Sequence, residues 1–360
     1  MATKKKKKRL TKRQQKQRKR RIILIVEVVV LLVLLVALFA YKKLDKVGTQ
    51  NIGTVEVNPD LDKEIISGYT TIALFGVDNR SVNNYDSGNS DSIMVCCIDN
   101  KTKEVKLISV YRDTFLDVDG EGKLYKCNYA YNHGGQKAAI AMLNRNLDLD
   151  IQNYIAVDFN GLVEAVDKLG GIELELTDEE AKIMNDCYIN ETAEVCKKDP
   201  TPVAGGGLQK LNGIQATAYC RIRYTAGDDF KRAERQRTVL KLLVDKAKQS
   251  DIATLSSLAE TMLGYVSTSY TKAEIIALAS DAMEYELVET TGFPMAKSTG
   301  TFGSKGSVVV PCTLSDNVTE LYKILYDEEN YVPTQTVQDI STSIQSFTGY
   351  GAGNAVNYGY

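Results

Sequence analysis

Residues Ile22 to Tyr41 form one apolar run, interrupted only by Glu27. About twenty such residues cross the hydrocarbon of a bilayer as a single helix. This run therefore constrains the chain more than any other feature: one transmembrane helix, with all later residues on one side of it. The segment before it, Lys4 to Arg21, is rich in Lys and Arg and has no acid. Charge of this kind stays in the cytoplasm. The expected organisation is a basic cytoplasmic tail (1–21), a membrane helix (22–41) and an extracytoplasmic stalk (42–66). A single large domain (67–340) and a flexible Gly/Tyr-rich tail (341–360) follow. A cleavable leader fits less well, because the apolar run is long and only Ala37-Leu-Phe-Ala40 resembles a cleavage site.

Charge is divided unevenly. Residues 1–43 hold 15 of the 44 basic residues and one of the 46 acids, which leaves the remainder with a net charge of −16. The basic tail suits anionic lipid head groups. An acidic body argues against nucleic acid as a partner and requires any anion site in it to be local. Seven cysteines and one histidine, His133, occur without a Cys-x-x-Cys pair. A zinc site or a His-activated nucleophile is not expected on that basis. Cys187 and Cys196 flank a polar insertion and are expected either to close it as a disulfide or to remain free thiols.

Hydrophobic patterning gives the order of elements. Strands are expected at 70–77, 92–98 and 104–110, the last two as a hairpin across Asp99-Asn-Lys-Thr-Lys103. A helix over 136–147, a strand over 153–159, a helix over 161–169 and a strand over 172–176 come next. Residues 177–209 read as an insertion, Arg221-Ile-Arg223 as a short strand and 228–250 as a long helix. Helices at 252–264, 271–283 and 314–326 and a strand at 307–311 complete the pattern. Mixed strands and helices without an internal boundary predict an α/β fold, a three-layer αβα sandwich around a central mixed sheet.

The chemistry concentrates in one cluster. Arg221-Ile-Arg223 is followed by Asp229, Arg232 and Arg235. Alternate strand positions share a face, and helix positions three apart share a face. The arginines can therefore converge on one anion, and guanidinium forks suit phosphate oxygens. The alternative is a set of ordinary surface ion pairs. Asp78 follows the first strand and Asp91 precedes the second, so two carboxylates can share a hard cation such as magnesium if those strands are neighbours. Turn-capping is the alternative for both. Arg80 and Arg112 leave similar positions and would add to an anion site.

Several runs together carry a family resemblance. Ile72-Ala-Leu-Phe-Gly-Val-Asp78-Asn-Arg80, Ser90-Asp91-Ser-Ile-Met and Leu107-Ile-Ser-Val-Tyr-Arg112-Asp113-Thr come first. Lys126-Cys-Asn128-Tyr-Ala-Tyr131, Val157-Asp158-Phe-Asn-Gly161-Leu, Val166-Asp-Lys-Leu-Gly-Gly171-Ile and Leu211-Asn-Gly213 follow in order, ahead of the arginine cluster. Over roughly residues 70–250 the chain resembles the LytR-CpsA-Psr family. The resemblance implies an extracytoplasmic phosphotransferase on a membrane of Gram-positive type. It would move a glycopolymer, such as wall teichoic acid or capsule, from a polyprenyl diphosphate carrier to a peptidoglycan sugar hydroxyl. It implies Mg2+ held by Asp78 and Asp91, and pyrophosphate ligands at Arg112, Arg221, Arg223, Arg232 and Arg235. Asp229 would orient that cluster, with Arg80 as a further member. The lipid would occupy an apolar groove between sheet and helices. Asp78 or Asp91 would accept the hydroxyl proton. A pyrophosphate hydrolase, or a non-enzymatic binder of wall precursors, are the competing readings. Three positions depart from the family pattern: Asn89 replaces an Arg, Tyr111 a Pro, and Asn160 an Asp.

Overall fold

The computed structural model describes residues 48–78, 85, 88–223, 228–281 and 283–358. The expected cytoplasmic tail, the membrane helix at 22–41 and Arg80 lie outside the described residues. No described helix is long and apolar enough to cross a membrane.

The chain runs through β1 (Gly48–Thr49), α1 (Lys63–Ile66), β2 (Tyr69–Asp78), β3 (Asn89–Asp99), β4 (Glu104–Val110), β5 (Phe115–Asp117) and β6 (Leu124–Lys126). It continues through α2 (Asn128–Leu147), β7 (Asn153–Asp158), α3 (Phe159–Lys168), β8 (Ile172–Leu176), α4 (Asp178–Ile183), a π-turn (Met184–Tyr188) and α5 (Ile189–Cys196). Then come β9 (Gly207–Leu211), α6 (Gly213–Arg221), α7 (Asp228–Lys248), α8 (Ile252–Met262), β10 (Val266–Thr268) and α9 (Lys272–Ser280). The last are β11 (Glu286–Phe293), β12 (Lys297–Thr301), β13 (Ser307–Pro311), α10 (Leu314–Tyr326) and α11 (Gln335–Thr348).

Seven strands form one mixed sheet in the order β1-β10-β7-β2-β3-β4-β11. β2 lies inside it, parallel to β7 and antiparallel to β3. Alternation along β2 assigns its faces. Ala73, Phe75 and Val77 pack with Tyr131, Leu143 and Leu321 under α2, α10 and α11. Ile72 packs on the opposite face with Ile98 and Tyr270, with Leu74 beside them. A second core, built around Val163, Val166, Ile214 and Val239, joins α3, α6 and α7 with the antiparallel pair β8 and β9. The fold is thus a mixed central sheet with helices on both faces, as the patterning predicts.

Three local expectations change, and one open alternative closes. The Arg-x-Arg segment is not a strand: α6 ends at Arg221 and Ile222 turns extended (φ −56°, ψ 127°) with no partner strand. Asn212 and Gln215 close a reciprocal capping box at the start of α6, which is what makes the segment helical. The stalk is not free over its whole length. Val55 and Leu61 are in the main core, and Asn58 donates to Asp148 Oδ1 at 2.6 Å. The C-terminal segment is held, because α11 carries the chain to Thr348 and the Tyr358 ring lies 4.8 Å from that of Phe230. Finally, Cys187 and Cys196 are free. They sit nine residues apart along the π-turn and α5, about 13 Å of helix rise, which is beyond the span of a disulfide.

Candidate active site

β2 and β3 lose register between Gly76 and Val77, where Gly76 faces Ser92 and Val77 faces Ser90. Asp91 is the extra residue of this β-bulge, a device that re-aims a side chain. Gly76 is required there, since a Cβ would come within 2.8 Å of Ser92 Cβ. The bulge points Asp91 at two arginines. Arg112 Nη1 donates to its Oδ1 at 2.6 Å and Arg223 Nη2 to its Oδ2 at 3.0 Å. Asp91 therefore lies within the strand that was expected to begin after it.

Arg112 follows β4 and also lies 3.6 Å from Asp229 and 3.9 Å from Asp113 through Nε. Asp229, in the first turn of α7, pairs with Arg232 Nη2 at 3.0 Å. Burial would raise the Asp229 carboxyl, but Arg232 and Arg112 outweigh it and hold it below the usual range. Asp113 moves the other way, raised by burial and then by the Asp229 charge, even with Arg112 and Lys126 nearby. Arg232 is only 4% exposed, and its Nε and Nη1 have no hydrogen-bond partner. Burial depresses its pKa. A buried guanidinium with two unanswered nitrogens is costly unless an anion completes it.

Arg221 approaches from the other wall. Its Nη1 donates to Thr192 Oγ1 at 2.9 Å and its Nη2 pairs with Glu191 at 2.9 Å. Its guanidinium stacks on Phe159 and Tyr188, 4.8 and 5.7 Å from the ring centres. Arg235 is not part of this convergence. It turns into the second core, where Nε donates to Glu180 Oε1 at 2.9 Å and the guanidinium lies over Tyr219. The i,i+3 spacing is too coarse to separate these two fates: three residues turn a helix by about 300°, enough for Arg232 and Arg235 to diverge.

These side chains border a cavity of about 580 Å³ between the sheet and α3, α7 and α8. Asp78, Asp91, Arg221, Arg223 and Arg232 line its polar part. Leu74, Met94, Ile155, Leu162, Leu240 and Met262 are among the residues of its apolar part. Two further polar lining residues escaped the sequence reading. Gln236 is one turn beyond Arg232 on the same face of α7, a signal the i,i+4 rule contains. Asp158 ends β7 and caps α3 by accepting from Gly161 N at 2.8 Å. It is 3% exposed, its Oδ2 has no hydrogen-bond partner, and burial raises its pKa. Asn89, which stands where the resemblance implies an arginine, accepts from Asn132 at 2.9 Å.

Magnesium can be tested against this donor set. Asp78 and Asp91 supply hard oxygens to one cavity from adjacent strands. No cluster of three or more acidic, His or Cys ligands occurs among the described residues. Magnesium usually takes one or two carboxylates and completes its shell with water and phosphate. Each Asp91 oxygen already accepts from an arginine but keeps a second lone pair, so a site on Asp78 and Asp91 is compatible with it.

A sequence profile described as the LytR_cpsA_psr family matches residues 35–319. A polyisoprenyl-teichoic acid–peptidoglycan teichoic acid transferase, TagU of Enterococcus faecalis, is 30% identical over 49% of this chain. The match takes in 53% of that protein, so the chain spans about half the length of this relative. The crystal structure of TagV from B. subtilis superposes with a TM-score of 0.57 at 26% identity, over 74% of this chain and 98% of that one. B. subtilis TagT, solved with bound octaprenyl pyrophosphate lipid, superposes with a TM-score of 0.51 at 16% identity, over 84% and 99% of the two chains, and shares the fold.

Proposed function

The chain belongs to the LytR_cpsA_psr family, and from this we propose that it is a membrane-anchored, extracytoplasmic glycopolymer phosphotransferase. The donor would be a polyprenyl diphosphate-linked anionic glycopolymer and the acceptor a peptidoglycan sugar hydroxyl. One observation carries the reading: the buried, incompletely bonded Arg232 stands at the polar end of a cavity that is otherwise apolar. A diphosphate attached to a lipid has that same division of character. The relative that binds octaprenyl pyrophosphate and the transferase named above support it.

Phosphoryl transfer depends on charge neutralisation and alignment more than on a protein nucleophile. Arg232, Arg223 and Arg221 would bind diphosphate oxygens, while Arg112 and Asp229 hold the cluster in place. Leu240, Leu162 and Met262 would take the lipid's first isoprene units and exclude water. Asp78 and Asp91 would hold Mg2+, which when bound supplies countercharge to the phosphates. Proton acceptance fits Asp158 better than Asp91. Both Asp91 oxygens already accept from arginine, whereas Asp158 has a bare Oδ2 in the same cavity.

The test uses the full chain in detergent with polyprenyl diphosphate glycan, peptidoglycan and graded magnesium. Ligated product is expected, lost in an Arg221→Ala/Arg223→Ala variant that still folds. Free glycan phosphate in place of ligated product would make the protein a hydrolase. Undiminished transfer by the folded double variant would remove the proposed site. Full activity in chelator, with bound metal shown to be absent, would remove only the magnesium.

A further inference from the structure

Helix α7 separates two cavities. Arg232, Gln236, Val239, Leu240 and Leu243 face the one described above. Glu234, Arg237, Thr238, Lys241 and Asp245 face another, of about 630 Å³, closed on its far side by Tyr111, Gly292 and Lys297. Nothing in the transfer reading uses this second cavity. Its character is different, with few apolar groups and several cations and hydroxyls.

Two of its cations are incompletely satisfied. Lys297 is 6% exposed, and its ammonium makes a single hydrogen bond, 3.4 Å to the carbonyl of Met295. Three rings, Phe230, Tyr111 and Tyr358, surround it at 5.1, 5.3 and 5.9 Å. Cation–π contact offsets part of the desolvation but supplies no acceptor. Arg237 has a buried Nη1 without a hydrogen-bond partner. Burial lowers both pKa values, and Arg237 lowers that of Lys297 further, so the two charges feel each other. The wall's two acids, Glu234 and Asp245, are exposed, and no ion pair among the described residues joins either to Arg237, Lys241 or Lys297. Lys297 is buried and Arg237 half-buried with one unbonded buried nitrogen, and the carboxylate whose charge reaches Arg237 is the exposed Glu234. Such cations gain from an oxyanion placed between them.

Tyr111 helps to shape this place. It stands where the family resemblance implies a proline, immediately before Arg112 of the first site. Its ring reaches over Gly292, where any Cβ would overlap the phenol. The threonines Thr238, Thr290 and Thr291 and the two exposed acids give the rim groups that bond sugar or polyol hydroxyls.

We propose that the second cavity is an oxyanion-binding subsite, distinct from the diphosphate site, that takes an acidic group borne on a polyhydroxylated skeleton. The floor of Lys297 and Arg237 meets the oxyanion and the rim meets the hydroxyls. Two substrate components carry such a group if the transfer reading holds, on which only this identification of the source rests: a phosphodiester of the transferred polymer, or the carboxylate of an acceptor muramic acid.

The experiment is calorimetric titration of the full chain in detergent with glycerol phosphate, N-acetylmuramic acid, glycerol and inorganic pyrophosphate. One molecule of glycerol phosphate or of N-acetylmuramic acid should bind per chain, and glycerol should not. The tighter of the two acids identifies the source. Lys297→Met and Arg237→Gln should each weaken that acid at least about tenfold, the loss expected for one charge-assisted bond, while pyrophosphate affinity holds. Arg232→Gln should do the reverse. Should Lys297→Met fail to fold, Arg237→Gln and Lys241→Gln on the exposed wall carry the test. Absence of binding by both acids, or binding indifferent to Arg237→Gln and Lys241→Gln, overturns the proposal. Loss of pyrophosphate binding in the wild type would instead count against the first site alone.

Discussion

Arg232 is the residue at which the site's energetics are most exposed to test. It sits at 4% exposure with Nε and Nη1 unbonded and only Asp229 paired to it. Arg232→Gln should lower pyrophosphate affinity by about ten- to a hundredfold, the scale of one or two charge-assisted bonds. Titration calorimetry measures it, and an unchanged affinity would place the anion elsewhere. Asp158 gives the opposite balance of stability and activity. Burial raises its folded-state pKa above the unfolded value, so the folded chain holds this proton longer. The associated stability is complete below about pH 4 and is lost as pH rises through the raised value. Asp158→Asn keeps a cap acceptor for Gly161 and removes the buried charge. At neutral pH the variant should therefore be as stable as the wild type or more so, yet transfer little glycan. Denaturant melts at pH 4 and pH 7.5 together with an activity assay decide this, and a fully active, stabilised variant would show that Asp158 only caps the helix.

At the scale of elements, α7 does the most to join chemistry to packing. Val239 also lines the apolar cavity but is buried in the second core, while Leu240 is partly exposed toward that cavity. Leu240→Glu should leave the melting temperature nearly unchanged and remove polyprenyl lipid from the purified protein. Val239→Asp should cost about 3 kcal/mol or more, because its carboxylate has no place in that core. Mass spectrometry of co-purified lipid beside thermal melts separates the two, and lipid retained by a folded Leu240→Glu chain would mean the groove is not the lipid site. The π-turn and α5 carry a second prediction. Cys187 is exposed and Cys196 about two and a half helical turns away. Intact mass after alkylation should be the same with and without prior reduction, and any difference at these positions would contradict the helical path.

At the scale of the whole molecule, distant segments are tied through buried Asp148. It accepts from Asn58, between β1 and β2, and from Tyr331 and Thr334, after the last strand of the sheet. The folded domain thus begins ahead of its first long strand and closes near its C-terminal helix. Asn58→Ala should destabilise it by about 1–3 kcal/mol, since a buried carboxylate loses a donor, as a denaturant midpoint would reveal. Orientation is read from charge. Protease added to wall-stripped cells should digest the domain, and complete protection would place it inside.

Local periodicity was enough to give the helices at 314–326 and along 228–248, the hairpin of β3 and β4, and a mixed sheet with flanking helices. Those features depend on residues near one another in the chain, and neighbouring side chains carry the period directly. The basic run and the apolar run after it are likewise readable by eye, being composition over twenty residues. The arginine cluster marked the site because its charges are dense in sequence. Its membership was another matter. Arg232 and Arg235 are alike in sequence, and partners brought up by other segments, Glu180, Tyr219 and the Ile222 carbonyl among them, draw Arg235 away. Asp91 was visible as a carboxylate, but its aim comes from a bulge that requires β2 alongside. Neither Asp158 nor Lys297 stands out in sequence: burial raises the Asp158 carboxyl, and three rings from three segments close over Lys297. Desolvation and unmet hydrogen bonds depend on what surrounds an atom in space, so they come into being only with the tertiary structure.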